Sequence, residues 1–367
     1  MFFIVAVIYI VLFFGFYTVG FVMHYKISKK SVFLSFFVFA LAYGILAYHV
    51  EPPNSWDLYR HFAELNRIRS GGLYYLWHVG IYKNQIGSSL LFYLVSFLPN
   101  NHFLPFLSII IEYSILAYII SDYCEENHLN CRYIFLILIL HLGLNDISWT
   151  LSTIRQTLAM AFVALAVYLD LVKKKKIGLI FYVFGFVMHP GSIGAILIRL
   201  ALILYKRKIP IHILLVMWGA FASKIAFTLI RSSVFAIQYI GSMLNEYVFS
   251  DHAEAGDSRQ VVVKLILLLI LLIMIWRRRN FWIDNDYIKF VFLTSVFTLG
   301  SIVSGQIFLR YILLLSYLII PIPKLISSNT KIGSVSLSDI FFIFMFIGFM
   351  AYQYVTLTTH GLSLWFG

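Results

Sequence analysis

Two short stretches place reactive residue types inside an otherwise apolar chain. LSTIRQTLAM (151–160) sets Arg155 and Gln156 at the start of one apolar run, and FVMHPGS (186–192) sets His189 at the end of the next. Between them lies KKKK (173–176). A guanidinium grips phosphate through paired, charge-assisted hydrogen bonds and stays cationic at any working pH. A histidine that titrates near neutrality takes a proton from a hydroxyl. Arg310 in SGQIFLR (304–310) and Asp57, Tyr59 and Arg60 in NSWDLYRHFAELNRIRSGG (54–72) add to the set. Arginines converging on a histidine suit a lipid-linked diphosphate and a sugar hydroxyl. Each residue also has a plainer explanation. Arginines at helix ends snorkel to headgroups, a histidine before Pro-Gly stops a helix, and Asp57 with Tyr59 makes a solvated pair.

The elements that must position these residues are membrane helices. Mean hydropathy is +0.88 and only 12% of the 367 residues are charged, against about 25% in a soluble chain. Apolar runs of helical length recur without the strict alternation of a β-barrel. The expected fold is an all-α polytopic membrane protein with about 12–14 transmembrane helices, forming a single domain over 1–367. Expected spans are 2–23, 31–50, 102–122, 131–145, 154–172, 177–188, 191–205, 209–230, 260–276, 287–304, 307–323 and 338–357. Outer loops are expected at 51–84 and 231–259. Within the first, Trp56, Leu58, Phe62, Leu65 and Ile68 repeat at amphipathic helical spacing.

The basic residues cluster in KISKK (26–30), KKKK (173–176), KRK (206–208) and RRR (277–279). The positive-inside rule puts all four in the cytoplasm. The net charge of +12 is therefore a topology signal, and no nucleic-acid partner is expected. An even number of crossings must separate 26–30 from 173–176. The segment 86–98, about 20 Å long as a helix, is too short for a core of about 30 Å and is expected to be re-entrant. From Arg155 to the lysines a helix rises about 27 Å, so Arg155 reaches the outer face, and the following hairpin returns His189 to a similar depth. Glu112 and Arg199 lie mid-span and are expected to pair with each other or with backbone; Lys224 and Lys264 are expected to snorkel; His141 is expected to be a satisfied core histidine. Cys124 and Cys131 form neither a zinc site nor a disulfide framework by themselves. Walker A, HExxH and GxSxG motifs are absent, which removes ATP-driven pumps, zinc hydrolases and α/β-hydrolase lipases.

The stretch 146–197 resembles the core of the EpsG/Wzy-type bacterial polysaccharide polymerases. That pattern is an Ile-Arg-Gln-x-x-Ala helix, a lysine-rich turn, and a helix ending in Phe-x-x-His. Here it reads Ile154-Arg155-Gln156-Thr157-Leu158-Ala159 and Phe186-Val187-Met188-His189. GQIFLRYILLLSYLIIP (305–321) is similar to the family's late helix with a lone arginine, and WDLYRHF to its outer Asp-x-x-x-Tyr segment. Asp57 and Tyr59 stand only two apart, and EPPNSWD replaces the family's Arg-Asp pair. The resemblance implies a GT-C-like, metal-independent glycosyltransferase without a cofactor, in a bacterial inner membrane with its active site facing the periplasm. It would polymerise undecaprenyl-diphosphate-linked oligosaccharide units, donor and acceptor alike, into O-antigen, capsule or exopolysaccharide. Membrane lipids, a chain-length regulator and a flippase are the implied partners. His189 is the expected base with Asp57 in reserve; Arg155, Gln156, Arg310, Arg60 and Tyr59 are the expected diphosphate- and sugar-binding residues. An O-antigen ligase-like transferase uses the same donor. A lipid-linked oligosaccharide flippase would instead show mid-membrane charges and two related halves.

Overall fold

The computed structural model describes residues 2–326 apart from 55, 146, 208, 283 and most of 232–257, and beyond 326 only 331–332, 335–336 and 348. The loop expected at 231–259 and the span expected at 338–357 therefore lie largely outside the described residues. The described chain is helical: α1 (Phe2–Met23), α2 (Lys29–Tyr48), α3 (Asp57–His78), α4 (Ile86–Ser96), α5 (Phe103–Glu126), α6 (Cys131–Leu144), α7 (Ile147–Ser152), α8 (Ile154–Val167), α9 (Gly178–Met188), α10 (Ile193–Lys206), α11 (Ile211–Ile230), α12 (Ser258–Arg277), α13 (Arg279–Trp282), α14 (Asp286–Gly300), α15 (Gly305–Leu318) and α16 (Ile322–Ile326). A π-turn, Tyr168–Val172, extends α8. Lys331–Ile332 and Val335–Ser336 pair as a minimal antiparallel ladder.

Among the described residues, five helices are long and apolar enough to cross a membrane: Phe2–Met23, Lys29–Tyr48, Phe103–Glu126, Ile154–Val172 and Asp286–Val303. Others, such as Cys131–Leu144 and Gly305–Leu318, are apolar but shorter. Lipid-facing chemistry is visible on α1, where Ile4, Val11, Leu12 and Phe16 are exposed. Hydrocarbon surroundings remove the cost that such exposure carries in water.

One end of the helix bundle is tied by ion pairs. Lys29 bridges Asp122 and Glu125, and Lys173 bridges Asp122 (2.6 Å) and Glu126. Lys206 and Lys174 meet Asp286 at 2.5 and 3.5 Å. The three lysine-bearing turns after α1, α8 and α10 thus share an end with the turn carrying Cys124 and Cys131, both buried and unpaired as a disulfide. Among the described residues between the first two lysine clusters, α2, α5, α6 and α8 run from end to end. Helices α3 and α4 both start and finish at the opposite end, where Arg69 of α3 donates to Ser96 O (3.1 Å) and Ser88 of α4 donates to Met188 O (2.5 Å). The crossing number is therefore even.

Two expectations about charged residues change. Glu112 and Arg199 do not pair: Arg199 grips Asp170 through Nε (2.5 Å) and Nη2 (3.3 Å), and Glu112 accepts from Tyr317. Helix rotation, invisible in linear hydropathy, points them to different neighbours. Lys264 does not snorkel; its side chain is buried against the bundle. His141 is fully buried and bonded to Ser316 O at 3.0 Å, a core role.

Small residues let the hairpin helices approach closely. A Cβ on Gly185 of α9 would lie 2.7 Å from Val163 Cγ2 and 3.1 Å from Ala159 O of α8. A Cβ on Gly194 of α10 would lie 1.9 Å from the Tyr311 hydroxyl, which donates to Gly191 O at 2.8 Å. Gly194→Ala is therefore expected to cost about 1–3 kcal/mol by overpacking and to push Tyr311 off Gly191. A lowered melting temperature of the detergent-purified protein checks it; an unchanged one contradicts this packing.

Candidate active site

The tight α8–α9 hairpin, turned by KKKK, brings Arg155 and His189 to the end opposite the lysines. Helix α9 stops at His189, whose backbone is extended (φ −154°, ψ 117°), because Pro190 follows. His189 then caps the short 3-10 turn Pro190–Ser192, its Nδ1 accepting the Gly191 N–H at 3.0 Å. That bond places the ring proton of neutral histidine on Nε2, leaving Nε2 a donor. The ring is 4% exposed, and the charges of Arg310 and Arg155 both bear on it, so it stays neutral. A close contact seats the turn against α4: a Cβ on Gly87 would lie 3.0 Å from Met188 N.

Arg155 opens α8. Its Nη1 donates to Gln85 Oε1 at 2.5 Å, and its guanidinium lies 3.9 Å from the Tyr82 ring centroid. Tyr82 in turn stacks on Phe92 of α4 and its hydroxyl meets His61 Nδ1 at 2.8 Å. The 79–85 turn that carries Tyr82 and Gln85 is held by Glu64 of α3. Glu64 Oε1 accepts the Ile81 N–H (2.9 Å), and Oε2 accepts the Tyr75 hydroxyl (3.0 Å). Burial pushes the Tyr82 hydroxyl up to about 12, against the pull of Arg155.

The remaining expected residues divide. Arg310, in the second turn of α15, lines a cavity with Gly191 beside the His189 turn. Asp57 starts α3, its N–H donating to Ser152 Oγ (3.3 Å) just ahead of Arg155, and its carboxylate pairs with Arg60 at 3.5 Å. The charges of Arg155, Asp57 and Arg60 all act on Tyr82. Gln156 is not in this group. It is 2% exposed and its Nε2 makes no hydrogen bond. Tyr59 points outward, 47% exposed. The other end of the 146–152 segment, at Asp146, lies outside the described residues. Among the described residues, no group of three or more His, Cys, Asp or Glu side chains could hold a metal ion.

His61, Glu64, Tyr82 and Gln85 were missed in the sequence. The available signal was on α3. Leu58, Leu65 and Ile68 form its buried stripe, and two polar residues, His61 and Glu64, are each only 1% exposed within it. A titratable residue at a stripe position of an amphipathic helix is costly unless paired, so it marks a site. Burial, then Arg155 and Arg60, hold the His61 imidazole well below its ordinary titration range. His61 thus contributes stability that is present above the ordinary histidine range and is lost as pH falls from that range toward the depressed one. Melting temperature is expected to drop on acidification in the wild type and to drop less in His61→Gln. Parallel pH profiles for the two proteins would contradict this.

Residues 56–366 match the EpsG family, a stretch that begins at α3 and takes in every residue of the site. No curated protein and no solved structure gives a match. The family match covers far more than half of the chain and agrees with its multi-pass helical architecture: the protein belongs to the EpsG family, a membership that supports a general role in polysaccharide polymerisation.

Proposed function

We propose that the protein is a Wzy-type glycosyltransferase that polymerises undecaprenyl-diphosphate-linked oligosaccharide units into a surface polysaccharide at the periplasmic face of a bacterial inner membrane. The observation that carries this reading is the convergence of Arg155 and Arg310 on His189, at the end opposite the lysine clusters, in a chain of the EpsG family. The positive-inside rule makes the lysine end cytoplasmic and the site end periplasmic.

In the proposed reaction an acceptor hydroxyl oxygen bonds to the anomeric carbon of the donor sugar. The bond from that carbon to the diphosphate oxygen breaks, and its electron pair leaves on the diphosphate. The developing charge needs donors that are already in place. Arg310 supplies one, and the Nε2–H of His189 supplies another. This tautomer supports a donor role for His189 better than a base role, so the acceptor proton passes to Asp57, which delivers it to solvent. Direct displacement inverts the anomeric configuration. Arg60 pairs with Asp57 at 3.5 Å, and exposed Tyr59 offers a stacking face for sugar. No step requires a metal or cofactor.

A chromosomal deletion tests the function. The deletion strain is expected to carry single repeat units on its carrier lipid, restored to a long ladder by the intact gene. Undiminished polymer rejects the assignment, and a full ladder left on the carrier lipid, absent only from its final acceptor, indicates a ligase.

A further inference from the structure

We propose that the cavity beside the His189 turn seats the prenyl tail of the donor, that Arg310 at its polar end holds the donor diphosphate, and that Arg155 serves the acceptor saccharide; this rests on the transferase reading above. The cavity has a volume of about 310 Å³ and lies between α10, α11, α14 and α15. Such a volume sits at the low end of the roughly 300–1,000 Å³ of ligand pockets, enough for the head-proximal part of a long chain. Its walls are apolar, with Ile193, Leu197, Leu215, Trp218, Phe297 and Ile307 prominent, and among the described lining residues Arg310 is the one that carries a charge. An apolar slot ending in a single cation complements an amphiphile with an anionic head.

The mouth is open to hydrocarbon: Leu197 and Ile225, both lining residues, are exposed. A tail longer than the cavity can continue into the bilayer there. The inner wall connects to the reacting end. Trp218 stacks on Phe297 (4.8 Å, 2°) and donates from Nε1 to Phe297 O at 3.2 Å. Phe297 meets the Tyr311 ring edge-on at 4.7 Å, and Tyr311 holds Gly191 O. Gly191 is the residue whose N–H orients His189. A tail packed against this wall is thereby placed with its head at His189. The surroundings of Arg155 differ. Tyr82, Gln85, Asp57 and Arg60 are polar or aromatic, which suits a saccharide and offers no slot for a prenyl chain.

Photolabelling of the full-length protein in proteoliposomes with a benzophenone-tailed prenyl diphosphate tests the division. Label is expected on peptides bearing Leu197, Leu215 or Trp218. Farnesyl diphosphate should compete at least about tenfold better than farnesol or inorganic diphosphate, because only it offers both tail and head. Arg310→Ala should lower labelling about tenfold, and Arg155→Ala by less than about twofold. Leu197→Phe, at an exposed position that folding tolerates, should narrow the mouth and lower labelling with both arginines intact. Specific label elsewhere, or equal dependence on the two arginines, overturns the division but leaves the lipid-diphosphate substrate standing. No competable label on the wild type overturns both.

Discussion

Arg155→Lys is expected to slow polymerisation by about 10- to 100-fold while the protein reaches the membrane in normal amount, read as a ladder collapsed toward one and two repeat units. The magnitude is that of a lost hydrogen bond to a charged group, about 1.5–3 kcal/mol. Lysine keeps the positive charge, so the test isolates geometry. The guanidinium plane lies over Tyr82 while one edge donates to Gln85. Its planar fork holds its N–H groups in fixed directions, which an ammonium on a flexible stem does not reproduce. An arginine that merely snorkels to headgroups would tolerate lysine, so a wild-type ladder from this variant would show that Arg155 has no role in the reaction.

Asp57→Asn is expected to reduce the rate by about 10²–10⁴-fold, the usual contribution of a positioned base. His189→Gln should lose much less, because a glutamine amide retains a donor near the position of Nε2. The contrast comes from one hydrogen bond, Gly191 N–H to His189 Nδ1, which leaves the imidazole without a vacant acceptor nitrogen. If His189 is instead the base, the outcome reverses: His189→Gln falls by the larger factor and Asp57→Asn by the smaller. Measuring both variants with one lipid-linked donor–acceptor pair decides between them, and equal small losses would reject both assignments.

The helical membrane class was legible because hydropathy is summed along each segment and needs no partner. The even crossing number was legible for the same reason: the lysine clusters demanded it, and α4, with 11 residues, is too short to supply a crossing. The site was legible only in part. Arg155, His189 and Arg310 were marked by their placement at the ends of apolar runs. Tyr82 and Gln85 gave no such mark, since tyrosine and glutamine in a polar turn are ordinary. Gln156 looked as promising as its neighbour, yet successive helical residues point about 100° apart, and that rotation buries it.

By itself, the sequence determined an all-α polytopic chain, its family and the ends of the helices where chemistry could sit, because these follow from local composition and spacing. Tertiary structure alone decided which groups meet. Arg155 reaches Gln85 across 70 positions of sequence, His61 reaches Tyr82 across 21, and Arg199 finds Asp170 instead of Glu112. Those contacts depend on how each helix is rotated and how closely glycines let it approach its neighbours, quantities that exist only once the helices pack.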